Sequence, residues 1–308
     1  MCFPMFIIQG DMMKDYLIRA ITTNKEIRAL AVNSTDTVEE ARKIHNTTPL
    51  ATAALGRVMS GALLMGSLVK SGEETSLSIR GNGPIKKILV EANQQGEVRG
   101  YVSNPKLPLK LTKSKKLDVA SAIGKGELVV RKNYFMKEPY EGKVKLISGE
   151  IGDDLSYYFT KSEQTPSSVG VGVLVDKDQS VKAAGGFLIQ LLPEASDETI
   201  DKLENNIGKI NSLSRLIEEG RSPEDLLDIL LEGFDYRVMA EKDVKYKCSC
   251  NREQVKGVMI SLGEEELRET LNEEGKVEIK CHFCNSKYEF NEKDVEEAIK
   301  NNNNKQEG

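Results

Sequence analysis

The chain has no Trp and only two His, His45 and His282, among its 308 residues, which leaves little for His-dependent proton transfer. No Ser or Thr stands beside a recognisable base, so no catalytic residue is expected. A phosphate loop of the form GxxxxGK[ST] is absent, and Gly81-Asn-Gly83 runs into Pro84 without the third glycine of a dinucleotide fingerprint, so no nucleotide is expected. Five cysteines are too few for a disulfide scaffold in a chain of this length, and their clustering points to a reducing, cytoplasmic compartment. The apolar start at residues 1–8 lacks a basic leading region and a small-residue cleavage site. Residues 1–12 are therefore expected to be an extension ahead of a start at Met12 or Met13, with no role for Cys2. A long uncharged apolar run is missing too. The richest stretch, residues 50–69, carries Arg57 near its middle and is expected to be a buried helix, with no membrane partner.

What is present reads as an α+β protein. A short helix is expected to open at Thr37, where Thr37-Val-Glu-Glu40 fits a capping box, and Pro49 suits the first turn of the helix that follows. The period then changes to two: residues 75–80, 85–92, 98–102, 126–131, 143–148 and 169–175 read as strands, separated by turn signals such as Gln95-Gly96 and Asp176-Lys-Asp178. Strands this closely spaced leave little room for crossover helices, which predicts an N-terminal domain, residues 13–193, of antiparallel sheet with packed helices.

Residues 194–240 read as a helical linker. Ile200, Leu203, Ile207 and Ile210 make one narrow apolar stripe, and a second helix is punctuated by Ser222 as N-cap, Pro223 at the first position and Gly233 past the end. Its buried face is expected at Leu226, Leu227, Leu230 and Phe234. Helices this short need neighbours, and an apolar face of the N-terminal sheet is the expected dock. Ile200, Leu203, Ile207, Leu226, Leu227, Leu230 and Phe234 are thus the candidate concealed adhesive surface.

The remaining four cysteines sit in the last fifth of the chain as Cys248-Ser-Cys250 and Cys281-His-Phe-Cys284, with thirty residues between the pairs. Two thiol pairs can supply the four sulfur ligands that one structural Zn²⁺ prefers, although CxC is tighter than the usual CxxC. The module, residues 241–300, is too small for a large core, so metal is expected to supply missing stability; a disordered tail is expected at 301–308. His282 reads as solvent-facing, being awkwardly placed beside Cys281 to act as a ligand. Three functions could own the module. Fifteen acidic against eleven basic residues at 241–300 disfavour a nucleic-acid-binding zinc ribbon. The second cysteine pair and the missing βαβ context disfavour a thioredoxin-like oxidoreductase. A redox sensor is the third: a zinc-bound thiolate stays electron-rich, and each cysteine has a neighbour two or three positions away that could capture its sulfenic acid as a disulfide.

The CxC and CxxC pairs, Leu55-Gly-Arg-Val58 leading into Leu63-Leu-Met-Gly66, Arg80-Gly-Asn-Gly-Pro84 and Ala184-Gly-Gly-Phe-Leu-Ile-Gln190 occur together in the order and spacing of one family. From about residue 13 to 300 the sequence resembles the redox-regulated 33 kDa chaperonins, the heat shock protein 33 family. The resemblance implies a cytoplasmic, ATP-independent holdase and no enzyme. It implies inactivity while reduced and zinc-bound, with Cys248, Cys250, Cys281 and Cys284 as ligands. It also implies that oxidation to two disulfides releases zinc, unfolds the module and linker, and exposes a surface for unfolding or oxidatively damaged clients, with homodimerisation on activation. The alternative is an inert structural zinc ribbon that binds nucleic acid or a protein partner.

Overall fold

The computed structural model describes residues 14–132, 140–260 and 262–306; the expected extension at 1–12, with Cys2, lies outside the described residues. The chain divides into two compact units, one ending at Tyr246 and the other beginning at Lys247. In the first unit the order is β1 (Tyr16–Thr22), β2 (Ile27–Asn33), α1 (Thr35–His45), α2 (Pro49–Gly66), β3 (Glu74–Gly81), β4 (Lys87–Asn93), β5 (Glu97–Val102), α3 (Val119–Ile123), β6 (Gly126–Lys132), β7 (Tyr140–Lys145), α4 (Gly152–Ser162), β8 (Ser167–Val175), β9 (Val181–Leu191), α5 (Asp197–Gly208), α6 (Leu213–Glu218), α7 (Pro223–Leu230), β10 (Tyr236–Asp243) and β11 (Lys245–Tyr246). The second unit holds α8 (Arg252–Ile260), α9 (Glu264–Glu274), β12 (Val277–Lys280), β13 (Lys287–Phe290) and α10 (Glu292–Gln306).

Two sheets organise the first unit, a five-stranded one in the order β10-β1-β2-β9-β8 and a six-stranded one in the order β11-β5-β4-β3-β6-β7. Pairing is antiparallel except at β11, which runs parallel to β5. Between the sheets lies α2, buried over almost its whole circumference, as expected of a helix apolar all round. It is long and apolar enough to cross a membrane by composition, yet 89% of that span is buried inside the protein. Its one charged side chain, Arg57, reaches Glu150 at 2.5 Å. Gly61 lets α4 approach, since a Cβ there would lie 2.5 Å from Leu155 Cδ1.

The five-stranded sheet is apolar on both faces. Leu17, Leu30, Val32 and Leu188 join the core around α2, while their alternating neighbours Ile18, Ala20, Ala29, Ala31, Phe187 and Ile189 face the opposite way into a second cluster. Strands covered on both sides lose the polar alternation that marks a half-buried strand, which explains why β1, β2 and β9 carry no clear period-two signal.

Four expectations need correction. Helix α1 starts at Thr35, two residues before the expected opening at Thr37, because its N-terminus is capped from β1's side: Asp15 accepts from Asp36 N at 3.2 Å, Thr37 N at 2.7 Å and Thr37 Oγ1 at 2.6 Å. The strand expected at 143–148 is β7, Tyr140–Lys145, whose pairing with β6 ends at Lys145. The segment 194–240 is not helical throughout, since β10 begins at Tyr236 and pairs with β1. Finally, α10 continues to Gln306, through most of the expected disordered tail, because extending an existing helix costs far less than nucleating one.

Candidate metal centre and concealed apolar surface

The second unit has a core of eight buried apolar side chains, among them Val255, Met259, Leu267, Val277 and Phe290. Arg252 stacks over the Phe290 ring at 4.5 Å and pairs with Asp294 at 2.8 Å, but exposed pairs of this kind contribute at most about 1 kcal/mol each. So small a core leaves room for a further source of stability.

The cysteines are brought together by two local structures. Cys281 and Cys284 form the tip of the β12–β13 hairpin, closed by Asn285 N donating to Cys281 O at 2.9 Å and by Cys281 N donating to Ser286 O at 2.9 Å. Asn285 completes the turn at φ 59°, a left-handed conformation that Asn tolerates better than most side chains. Cys248 and Cys250 lie in the segment just before α8, whose first turn is capped by Asn251 Oδ1 accepting from Gln254 N at 2.9 Å.

All four Sγ atoms lie within 4.8 Å of one another, with Cys248 to Cys281 at 3.8 Å and Cys250 to Cys284 at 3.3 Å. A tetrahedron with Zn–S bonds of about 2.3 Å has S···S edges of about 3.8 Å, so the four sulfurs can hold an ion of this kind. His282, exposed at the same turn, is not one of the four. Two further groups touch the sulfurs: Tyr288 Oη lies 3.2 Å from Cys250 Sγ, and Ser286 Oγ lies 3.2 Å from Cys284 Sγ. Burial pushes the Cys248 and Cys250 thiols up. At Cys284 burial acts in the same direction, but hydrogen bonds from the Ser286 side chain and backbone outweigh it and bring the thiol down to about 7. Sequence reasoning missed Tyr288 and Ser286; the only available signal was their nearness to the CxxC pair at hairpin spacing.

The linker side chains lie far from the cysteines in sequence and belong to the first unit. Leu203, Leu226, Leu227 and Leu230 are buried in the second cluster against β1, β2 and β9, and Ile207 and Phe234 flank it partly buried. Ile200 is only half-buried, because the inward positions of α5 are Thr199, Leu203 and Asn206, a face turned by about one residue from the expected stripe. Asn206 explains the turn: its Nδ2 donates to Leu230 O at 3.3 Å and to Glu232 O at 2.9 Å, tying α5 to the end of α7. The start of α7 is a capping box in which Ser222 Oγ accepts from Asp225 N at 3.1 Å and Asp225 accepts from Ser222 N at 2.8 Å.

Comparison with known proteins bears on this arrangement. A model of the family described as Hsp33 protein matches residues 15–291. The 33 kDa chaperonin of Bacillus cereus (strain B4264) is 46% identical over 290 residues, covering 94% of this chain and all of its own. That of Geobacillus kaustophilus (strain HTA426) is 47% identical over 286 residues, covering 92% and 97%. The crystal structure of the 33 kDa chaperonin (heat shock protein 33 homolog) from Thermotoga maritima superposes with a TM-score of 0.88 at 38% identity, covering 95% of this chain and 100% of that one. On the match along most of its length, the chain belongs to the heat shock protein 33 family, the 33 kDa chaperonins.

Proposed function

We propose that this protein is an ATP-independent holdase, without enzymatic activity, that is held inactive by one zinc ion on Cys248, Cys250, Cys281 and Cys284 and activated by their oxidation. The observation that carries this reading is the convergence of four sulfurs from two separate chain segments to within 4.8 Å, each with a second cysteine two or three residues away. An all-thiolate set favours zinc among the common cellular divalent ions. The ion would add a stronger link between the two segments to the one that the small apolar core makes through Val255, Met259, Val277 and Phe290.

The chemistry balances with a peroxide as oxidant. A cysteine thiolate takes one oxygen from hydrogen peroxide, which with a proton leaves as water, and becomes a sulfenic acid. The neighbouring thiol attacks that sulfur, forms the S–S bond and expels the oxygen as a second water. Disulfides Cys248–Cys250 and Cys281–Cys284 would close only local loops and could not hold the two segments together. With the sulfurs consumed, metal is lost, the second unit unfolds, and the preceding segment loses the anchor at its C-terminal end. Release of α5–α7 would then uncover the second apolar cluster for unfolding client proteins, with homodimerisation accompanying activation and no nucleotide taking part.

The test follows zinc and chaperone activity in one sample. Reduced, zinc-loaded protein is treated with peroxide and mild heat, zinc is titrated with a chromogenic chelator, and suppression of a heat-labile client's aggregation is read by light scattering. Both signals are expected to rise together. Retention of zinc under conditions that oxidise free thiols, or zinc release with no gain in suppression, overturns the proposal.

A further inference from the structure

The chain carries a net charge of −5, yet residues 103–118, between β5 and α3, contain five Lys against a single acid, Asp118. Lys106, Lys110, Lys113, Lys115 and Lys116 are all exposed. Between them stand Leu109 and Leu111, exposed at 64% and 48%, two of the eight large apolar side chains turned to solvent among the described residues.

This loop is built. Its base is fixed to the N-terminus of α2, where Thr48 Oγ1 donates to Leu107 O at 2.8 Å and accepts from Leu107 N at 2.9 Å, while the Leu107 side chain is buried. Beyond the base the chain folds into a tight hairpin. Leu111 bridges Leu117, Asp118 N donates to Lys110 O at 3.0 Å, Thr112 N donates to Lys116 O at 2.8 Å, and Lys115 takes a left-handed φ of 60° at the tip. The adjoining β3–β4 turn is held against the loop by Asn104 Nδ2 donating to Pro84 O at 3.1 Å, and adds the exposed Lys86. Leu109 and Leu111, two residues apart on one hairpin, make a small apolar patch whose solvation is unfavourable.

From this juxtaposition of fixed lysines and protruding leucines we infer that the 103–118 hairpin is a docking surface for a lipid bilayer rich in anionic phospholipid. Each lysine near such a surface gains from its negative potential, and the leucines enter the boundary between headgroups and acyl chains. Nucleic acid would be met differently. The hairpin has no aromatic side chain to stack on a base and no Arg to fork onto phosphate, and exposed leucines add nothing to a phosphate backbone. Outside the hairpin the chain is net negative, a charge that an anionic bilayer would repel.

Flotation of the full-length, reduced, zinc-loaded protein with phosphatidylcholine vesicles, with and without phosphatidylglycerol, tests this. Binding is expected only with the anionic lipid and is expected to weaken as salt is raised. Because all five lysines and both leucines are exposed, K113Q/K115Q/K116Q and L109S/L111S are expected to keep the parent's circular dichroism and melting temperature. The triple variant should bind about a hundredfold more weakly, at about fivefold per lysine, and the leucine variant several-fold more weakly even at high salt. Failure to bind anionic vesicles, equal binding to neutral ones, or parental binding by both variants overturns the proposal. So does tighter, lysine-dependent binding to single-stranded RNA than to the vesicles.

Discussion

Replacing Leu227 and Leu230 together by Ser should make the reduced, zinc-loaded protein an active holdase. Both side chains are fully buried, at 0% exposure, in the cluster between α7 and the outer face of β1 and β2. Truncating a buried Leu costs about 2–5 kcal/mol, so the pair removes about 4–10 kcal/mol from the dock, and a hydroxyl left among apolar neighbours adds to that. What remains to hold α7 is the buried Leu226 and Leu231, the bonds of Asn206 Nδ2 to Leu230 O and Glu232 O, and the hydrogen bonds of Tyr16 Oη to Glu224 and Tyr236 Oη to Asp228. Its eight residues cannot form a stable helix alone, and the Ser222–Asp225 capping box contributes about 1 kcal/mol per bond. The core around α2 takes its side chains from the opposite face of the same strands and is left intact, so the loss should stay confined to the covering helices. Hydrogen exchange should therefore show lost protection across residues 197–230 with β3–β6 unchanged, and light scattering should show client aggregation suppressed without peroxide. A variant whose α5–α7 exchange freely while aggregation proceeds as in the reduced parent refutes the idea that uncovering these surfaces is sufficient.

Cys281→Ser should leave three sulfurs; zinc content is expected to fall well below one per chain, and residues 247–300 to lose exchange protection while the first unit keeps its melting transition, because a structural zinc site supplies about 10–16 kcal/mol that an eight-residue core cannot replace. Asp15 gives a pH dependence of opposite sign to most carboxylates. Burial raises its folded pKa from 3.8 to about 6 despite the bonds from Thr37, with Asp36 adding repulsion, so the folded state holds a proton that the unfolded state has released. Stability of the first unit should rise by about 1 kcal/mol as pH falls from 7 to 5, read by denaturant unfolding, and Asp15→Asn should abolish that rise. Gly81→Ala should destabilise by about 1–3 kcal/mol in the same measurement, since the added Cβ would lie 2.0 Å from Ile123 O, a backbone atom with little freedom to move.

What could be read from sequence depended on how local each cause was. Strands β4 and β5 were legible because every second residue is buried and its neighbour is more exposed, as in β4 from Lys87 to Asn93, while β3 keeps the same period in its sequence by alternating Ser with Leu77 and Ile79. In β1, β2 and β9 the second face is covered by α5–α7, so the alternation that would have marked them is filled with Ala and Ile. β10 was illegible for the reverse reason: most of its residues are exposed, and only its partner β1, more than 200 positions away in sequence, makes it a strand. The start of α1 was misread because its cap, Asp15, comes from beyond β1 and β2 and not from the residue before the helix. The four cysteines were legible because each pair is set by a local turn. Tyr288 and Ser286 were not, since a Tyr and a Ser beside a hairpin are unremarkable until the thiols they touch are in place.

The make-up of the concealed interface also bears on which half of it would capture clients. On the sheet side, four of the eight buried residues are Ala (Ala20, Ala29, Ala31 and Ala183), whereas every buried apolar residue on the helical side is Leu or Ile, from Leu203 and Leu213 to Leu230 and Leu231. Hydrophobic attraction scales with apolar area, so the released helices would present more of it per residue than the shallow sheet face. β1 is held by this segment twice, across its face by α7 and along its edge by β10, so release of both would leave it paired with β2 alone. An unpaired edge beside a thin apolar face favours adding a strand, either from an extended client segment or from a second copy of the chain. On the proposed mechanism, then, the freed helices would supply adhesion and the freed edge of β1 would supply backbone pairing. Oxidation of the L227S/L230S variant would free the same edge of β1 while the first contribution is weakened, so any loss in its capture of clients relative to the oxidised parent measures how much of that capture the leucines provide.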